Sequence, residues 1–259
     1  GNSEQFLYIL PTARLLKEVR ENLLQLSGGM GEVKLLTFDE IAEQLVAAED
    51  PRGEILTPYE FERFYEQLIE RMGNHPLLKP LTAHLHLKGV KRSLLHMLGE
   101  VKRAGITSEQ MKVLLELPGT SAKHKALAFL YIKADEWLDR LSERNGYTCM
   151  TRESRLQKAA QLLSEGKTFP RWLEKIQTIW VDQFTDYTPL QFQMLKGLIS
   201  LQQVRQVGIY LPYQSEVYQK LPHFQPIIQS TIASLEDLGI ERVSFEGRSY
   251  PEIIERIAE

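Results

Sequence analysis

The sequence predicts an α/β protein in which a parallel sheet is interrupted by a long helical insertion. Apolar, strand-like runs alternate with amphipathic helical segments at the start of the chain and again after residue 170. Between them, residues 57–169 carry only helical periodicity. We therefore expect a discontinuous α/β domain over residues 4–56 and 170–259, and a helical insertion subdomain over residues 57–169.

The first elements give the order β-α-β-α. An apolar run, Phe6–Leu10, predicts a buried strand, and a helix follows it with Thr12 as its N-cap and the glycine pair at 28–29 as its end. Val33–Thr37 predicts a second strand, and Phe38–Ala48 a second helix. This order is typical of a parallel sheet.

The middle of the chain predicts helices separated by Gly, Pro and Asn residues. None of its segments has the alternation of a strand. The expected helices are Pro58–Met72, His84–Ala104, Ser108–Leu117, Ser121–Asn145 and Arg152–Glu165.

The α/β pattern returns with an apolar strand, QTIWVD, that ends in Asp182. A helix is expected over Leu190–Leu201, a strand over residues 204–212, a helix over Ile227–Leu238 and a last strand over residues 241–247. The strands on either side of the insertion are therefore expected to share one sheet.

The composition of the chain argues against several classes of protein and several kinds of site. The chain has 31 Lys and Arg against 34 Asp and Glu, so its net charge of −3 argues against a basic surface over the whole protein. Cys149 is the single cysteine and has no disulfide partner within the chain. The spacing of His84, His86 and His96 does not favour a metal site. No apolar run approaches the roughly 18 residues of a membrane span, so we expect a cytoplasmic protein with no membrane partner.

The end of the third strand carries the clearest chemical pattern. An Asp at the end of an apolar strand is how P-loop NTPases hold magnesium on a nucleotide, but Asp182 is followed by Gln183, which cannot act as a general base. No G-x-x-x-x-G-K-[ST] phosphate loop occurs, and the glycines at 28–31 are better explained as a helix end. No catalytic residue is assigned. The simpler interpretation, in which Asp182 only ends a strand, stays open.

The stretch IWVDQFTDYTPLQFQMLKGL resembles the second conserved motif of UvrD-type DNA helicases. Gln183 replaces the Glu of that motif and Thr185 replaces its Gln, so the resemblance is to a degenerate Walker B-like motif. The positions that match are Asp182, Phe184, Asp186, Thr188, Pro189 and Gln191.

Upstream segments strengthen the resemblance by their order. YILPTARLLKEVRENL is similar to the helicase motif that follows the phosphate loop, and LLTFDEIAEQL to the motif whose Thr and aromatic touch single-stranded DNA. The closer match is to the B subunit of AddAB-type helicase–nucleases and related RecB-like nuclease proteins. The family's chain is longer, with a phosphate loop before the segment that matches Phe6–Leu10 and a PD-(D/E)XK nuclease domain at its end. We therefore expect this chain to be either the N-terminal helicase-like portion of a longer protein, beginning just past the phosphate loop, or a natural variant that has lost that loop.

The resemblance implies a RecA-like fold and a role in double-strand break repair and recombination, with single-stranded DNA and an AddA-like motor subunit as partners. It implies no activity and no cofactor for this stretch, whereas ATP and Mg²⁺ would belong to a full-length ATP-dependent exonuclease or helicase subunit.

Hydroxyls and cations at strand ends bind phosphate, and an aromatic ring can stack on a base. The residues expected to contact DNA are Thr12, Arg14, Lys17, Thr37 and Phe38. The simpler alternative, in which Phe38 lies in the helix–sheet core and Arg14 and Lys17 lie on a solvated face, stays open.

Three alternatives stay open. The chain could be part of an ATPase domain that binds nucleotide only in the full-length protein, or a purely structural protein-interaction module. A basic helix could also follow a DNA backbone, although a charge run of this kind is more often a solvated face. Its cations are Lys88, Lys91, Arg92, Lys102 and Arg103.

Overall fold

The structure, a computed structural model, describes residues 6–27, 33–166, 169–211 and 225–239. The strands are β1 (Phe6–Ile9), β2 (Lys34–Leu36), β3 (Glu54–Ile55), β4 (Cys149–Met150), β5 (Thr178–Val181) and β6 (Gln206–Ile209). The α-helices are α1 (Ala13–Ser27), α2 (Phe38–Glu49), α3 (Pro58–Met72), α4 (Lys79–Thr82), α5 (Lys88–Arg103), α6 (Ser108–Glu116), α7 (Ala122–Asn145), α8 (Arg152–Glu165), α9 (Arg171–Glu174), α10 (Pro189–Ile199) and α11 (Gln225–Glu236).

Four strands form a parallel sheet in the order β2-β1-β5-β6. Ile9 is in register with Leu36 on one side and with Val181 on the other, and Val181 is in register with Ile209. The four carboxyl ends therefore meet at one edge of the sheet. The predicted fold class, a RecA-like α/β sheet with flanking helices, is confirmed.

The chain divides into two compact units. The sheet unit contains the residues up to 45, residues 162–187 and those from 191 onward; the helical unit contains residues 46–161 and 188–190. The sequence places the corresponding boundaries at 56/57 and 169/170, and those domain limits stay a prediction. Helices α2 and α8 each contribute residues to both units.

The core of the sheet unit is built from the strand runs and from one face of α1. Leu16, Val19 and Leu23 are buried at helical spacing and belong to the same apolar cluster as Tyr8 of β1. On β6, Gly208 is in register with Trp180, and a Cβ added there would lie 2.1 Å from the indole ring. Position 208 therefore requires glycine because a larger residue would clash with Trp180, and not because the backbone has an unusual φ.

In the helical unit, α7 is the longest helix and contributes eight buried residues to the core. Phe64 and Tyr65 of α3 belong to the same buried cluster as Leu130 and Tyr131 of α7. The interior is therefore shared between helices distant in sequence. This explains why α7 carries apolar residues on much of its circumference.

Helices α3 and α6 each begin with a capping box. Thr57 and Glu60 cap α3 reciprocally, and Thr107 and Gln110 do the same for α6. The helix expected from Ser108 begins at that residue, and the preceding Thr107 is its N-cap.

Other predictions are corrected by tertiary contacts. The insertion is not entirely helical, because β3 and β4 form a short parallel pair. The helix expected from His84 begins at Lys88, after a turn at residues 83–86, and a 3-10 helix at Pro76–Leu78 precedes α4. The expected strand at 241–247 and the glycine pair at 28–29 lie outside the described residues.

Candidate nucleic-acid interface at the sheet edge

The residues that follow β1, β2 and β5 lie at the same edge of the parallel sheet. The Leu10 N–H donates to the Leu36 carbonyl, and the Asp182 N–H donates to the Ile9 carbonyl, each at 3.1 Å. Backbone hydrogen bonds between neighbouring strands thus continue one residue past the ends of β1 and β5. In open parallel sheets, ligands bind beyond this carboxyl edge.

The first two turns of α1 form an exposed part of this edge. Thr12 is exposed, and its hydroxyl accepts the Leu15 N–H at 3.3 Å, which makes Thr12 the N-cap as predicted. Arg14 is exposed, and Lys17 is exposed with only a weak ion pair to Glu21 at 3.9 Å. Two cations therefore lie beside a helix N-terminus, whose dipole also favours negative charge.

Thr37 and Phe38 are buried, in contrast to the α1 residues. The Thr37 hydroxyl donates to the Glu40 carboxylate at 3.0 Å and accepts the Glu40 N–H at 3.2 Å, so it caps α2. Phe38 is 2% exposed and packs edge-to-face against Phe184 at 5.5 Å. In this conformation both side chains hold the edge in place, and the Phe38 ring is covered by protein.

Asp182 is a buried side chain with a partner that sequence reasoning missed. It is 1% exposed, and the Tyr8 hydroxyl of β1 donates to its Oδ2 at 2.5 Å. Tyr8 is in register with Trp180, so it lies two residues from Asp182 on the neighbouring strand. A tyrosine inside an otherwise apolar strand was the only sequence signal for this contact, because a buried hydroxyl requires a partner.

The backbone bends directly after Asp182. Gln183 has a φ of 61°, in the left-handed region that non-glycine residues rarely adopt. Phe184 then stacks with Tyr187, with ring centroids 5.0 Å apart. Burial raises the pKa of the Tyr187 hydroxyl, and the charge of Asp182 adds to this effect.

The remaining motif residues are further from the strand. Asp186 is exposed, and Gln191 is half-buried as the third residue of α10. Their assignment to a degenerate Walker B-like motif stays a prediction.

A magnesium–nucleotide site does not fit the residues around Asp182. Its carboxylate is engaged by Tyr8 inside the protein, and the neighbouring position holds an amide, Gln183, in place of a carboxylate. Magnesium binds through carboxylate oxygens and keeps several waters, which requires an open carboxylate. Across the part of the chain that the structure describes, no group of three or more His, Cys, Asp or Glu residues could hold a metal ion.

The basic helix, α5, pairs most of its cations with carboxylates inside the helical unit. Lys91 lies 3.6 Å from Glu70, and Arg92 lies 3.0 Å from Glu62. Lys102 is paired with Asp135, and Arg103 with Glu100 and Glu153. These contacts favour the interpretation of α5 as a structural helix over that of a surface for a DNA backbone.

Two further properties bear on the class of protein. No helix within the described ranges is long and apolar enough to cross a membrane. Cys149 is a buried free thiol on β4, next to the Asn145 side-chain amide at 3.4 Å.

Comparison with known proteins gives one family. The model of the family described as "ADDB, N-terminal" matches residues 66–243, more than two thirds of the chain. The match includes most of the helical unit and the Asp182 motif, whereas the residues from Thr12 to Phe38 precede it. No curated protein matched the sequence. The chain therefore belongs to the AddB N-terminal family, that of AddB-type helicase–nuclease subunits.

Proposed function

We propose that this chain guides single-stranded DNA along the carboxyl edge of its sheet and docks to a helicase motor subunit during double-strand break repair and recombination. Its own edge supplies binding groups and no hydrolytic chemistry. ATP hydrolysis and strand cleavage are assigned to other parts of the assembly.

The observation that carries the proposal is the exposed start of α1. Arg14 and Lys17 extend from a helix whose N-terminus lies beyond the carboxyl edge, with Thr12 at the cap. A DNA phosphate there would meet two cations, a hydroxyl and the positive end of a helix dipole. Membership of the AddB N-terminal family supports DNA as the source of that phosphate.

Within the proposal, the five residues divide into two roles. Thr12, Arg14 and Lys17 contact the DNA backbone directly. Thr37 and Phe38 act from inside the protein, since they fix the start of α2 beside the loop that leads into α1.

The experiment is a titration of fluorescent oligothymidylate with wild-type protein and with the double variant Arg14→Ala/Lys17→Ala, at several salt concentrations. We expect wild-type binding to weaken as salt rises. The double variant should bind more weakly at every salt concentration, with a slope of log K against log salt smaller by about 1.4, because two phosphate contacts are lost.

The matched control is Lys112→Ala/Lys123→Ala, which removes two exposed cations from the helical unit. It should bind like the wild type. Equal losses in both double variants would mean that only net charge matters, and salt-independent or absent wild-type binding would contradict the proposal. No observation on the described residues favours the alternative of a nucleotide-binding ATPase.

A further inference from the structure

The helical unit contains a cavity of about 580 Å³. This volume falls within the range of roughly 300–1,000 Å³ that small-molecule sites occupy. The cavity is formed by the segment that joins β3 to α3, one side of α5, the middle of α7 and the start of α8. All of its lining residues belong to the helical unit.

Part of the cavity wall is apolar and aromatic. Phe61 of α3, Leu95 and Leu98 of α5, and Tyr131 of α7 line it. The Tyr131 hydroxyl donates a hydrogen bond to the Ile106 carbonyl at 2.5 Å, and this bond fixes the position of the tyrosine side chain. These residues would contact the hydrocarbon or aromatic part of a ligand.

The same cavity is lined by five Lys and Arg side chains. They are Arg92, Lys102, Arg103, Arg152 and Arg155. Glu153 is the acidic residue among the described lining residues. A ligand that fills the apolar part therefore lies close to basic side chains that outnumber the lining carboxylate, and the matching chemistry is an anion.

The cations differ in how firmly the protein holds them. Lys102 is buried, pairs with Asp135 and donates to the Ser154 hydroxyl at 2.7 Å, so it is fixed. The Arg92 side chain is 63% exposed in its ion pair with Glu62, and such surface pairs contribute little to stability. Arg92 can therefore exchange Glu62 for a ligand at small cost. Arg152 is also exposed, at the first position of α8.

We propose that this cavity binds a small organic anion, with an apolar or aromatic body against Phe61, Leu95 and Tyr131 and an acidic group held by Arg92 and Arg152. This assigns the helical unit a ligand site of its own, beyond the proposed DNA-guiding role of the sheet unit. The acidic group is a carboxylate, phosphate or sulfonate, all of which arginine binds through paired N–H groups.

The test uses two fluorescent probes with the same aromatic body. Anilinonaphthalene sulfonate carries an acidic group, and phenylnaphthylamine is its uncharged counterpart. We expect the whole chain to bind the sulfonate probe at one site and at least about tenfold more tightly than the uncharged probe, because charge-assisted hydrogen bonds are formed only with the former. Equal affinities would overturn the proposal.

Variants locate the site. Arg92→Ala/Arg152→Ala alters two exposed side chains and should weaken sulfonate binding at least about tenfold without weakening binding of the uncharged probe. Leu95→Trp fills the cavity and should weaken both probes. The control is again Lys112→Ala/Lys123→Ala, with near-UV circular dichroism showing that each variant is folded.

Two results would refute the site. One is sulfonate binding that is unchanged in both cavity variants, or reduced as much in the control as in the arginine variant. The other is displacement of the probe by oligothymidylate, which would make the cavity part of a nucleic-acid path and not a site for a small anion.

Discussion

Helix α1 of the sheet unit and helix α5 of the helical unit use their basic side chains differently. In the sheet unit, Arg14 and Lys17 extend into solvent near the sheet edge. In the helical unit, Lys102 and Arg103 of α5 pair with carboxylates from α7 and α8. Helix α5 carries the larger number of cations, but four of its five form ion pairs within the helical unit, whereas both Arg14 and Lys17 of α1 are exposed.

This difference shows that a run of basic residues does not define a nucleic-acid surface by itself. A cation contributes to DNA binding when its charge is available to phosphate, and an ion pair within the protein reduces that availability. The spacing of Lys102 and Asp135 in sequence gave no sign that they pair, because the contact depends on the packing of α5 against α7.

The largest effect should come from the buried ion pair of the helical unit. Lys102→Met leaves the carboxylate of Asp135 without its ammonium partner, and we expect a loss of about 3 kcal/mol in the free energy of unfolding. This figure is at the low end for buried pairs because the Asp135 side chain is 23% exposed. Urea unfolding measures it. Lys112→Met, at an exposed position of α6, is the control and should unfold like the wild type.

A steric change should have the next largest effect, in the sheet unit. Gly208→Ala places a Cβ 2.1 Å from the Trp180 ring, and overpacking of this kind should lower the free energy of unfolding by about 2 kcal/mol. Gly89→Ala is the matched control, because a Cβ there meets no atom within 4 Å. If the two alanine variants unfold at the same urea concentration, the Trp180 ring does not pack against Gly208 as closely as described.

The smallest effect should come from the hydrogen bond at the sheet edge. Tyr8→Phe removes the donor to Asp182, and we expect a loss of about 1.5 kcal/mol in the free energy of unfolding, as for a hydrogen bond to a charged group. Thermal or urea unfolding measures this loss. Tyr59→Phe is the control, since Tyr59 is 66% exposed. A Tyr8 variant as stable as this control would show that Asp182 does not depend on the phenol.

The elements of the sheet unit were predictable because each leaves a local pattern. Continuous apolar runs identified β1 and β5, and helical spacing identified α1. The order β2-β1-β5-β6 was not predictable from local patterns, because β1 and β5 are separated by the whole insertion. Strands β3 and β4 were missed because two residues are too few to show alternation.

The candidate site was predictable in part for the same reason. The strand ends at Thr12, Thr37 and Asp182 follow from the strands, and parallel pairing brings them to one edge. Which of these side chains are buried does not follow from the strand pattern. Phe38 is aromatic, as a base-stacking residue must be, but its ring packs against Phe184. That contact depends on the backbone conformation at Gln183, which the sequence pattern does not reveal.

The most direct test of the proposed DNA path is amide hydrogen exchange of the whole chain, with and without oligothymidylate. We expect DNA to slow exchange at the start of α1, residues 13–17, and to leave α6 of the helical unit unchanged. Protection confined to the helical unit, or none at the start of α1 under conditions where DNA is bound, would contradict the account.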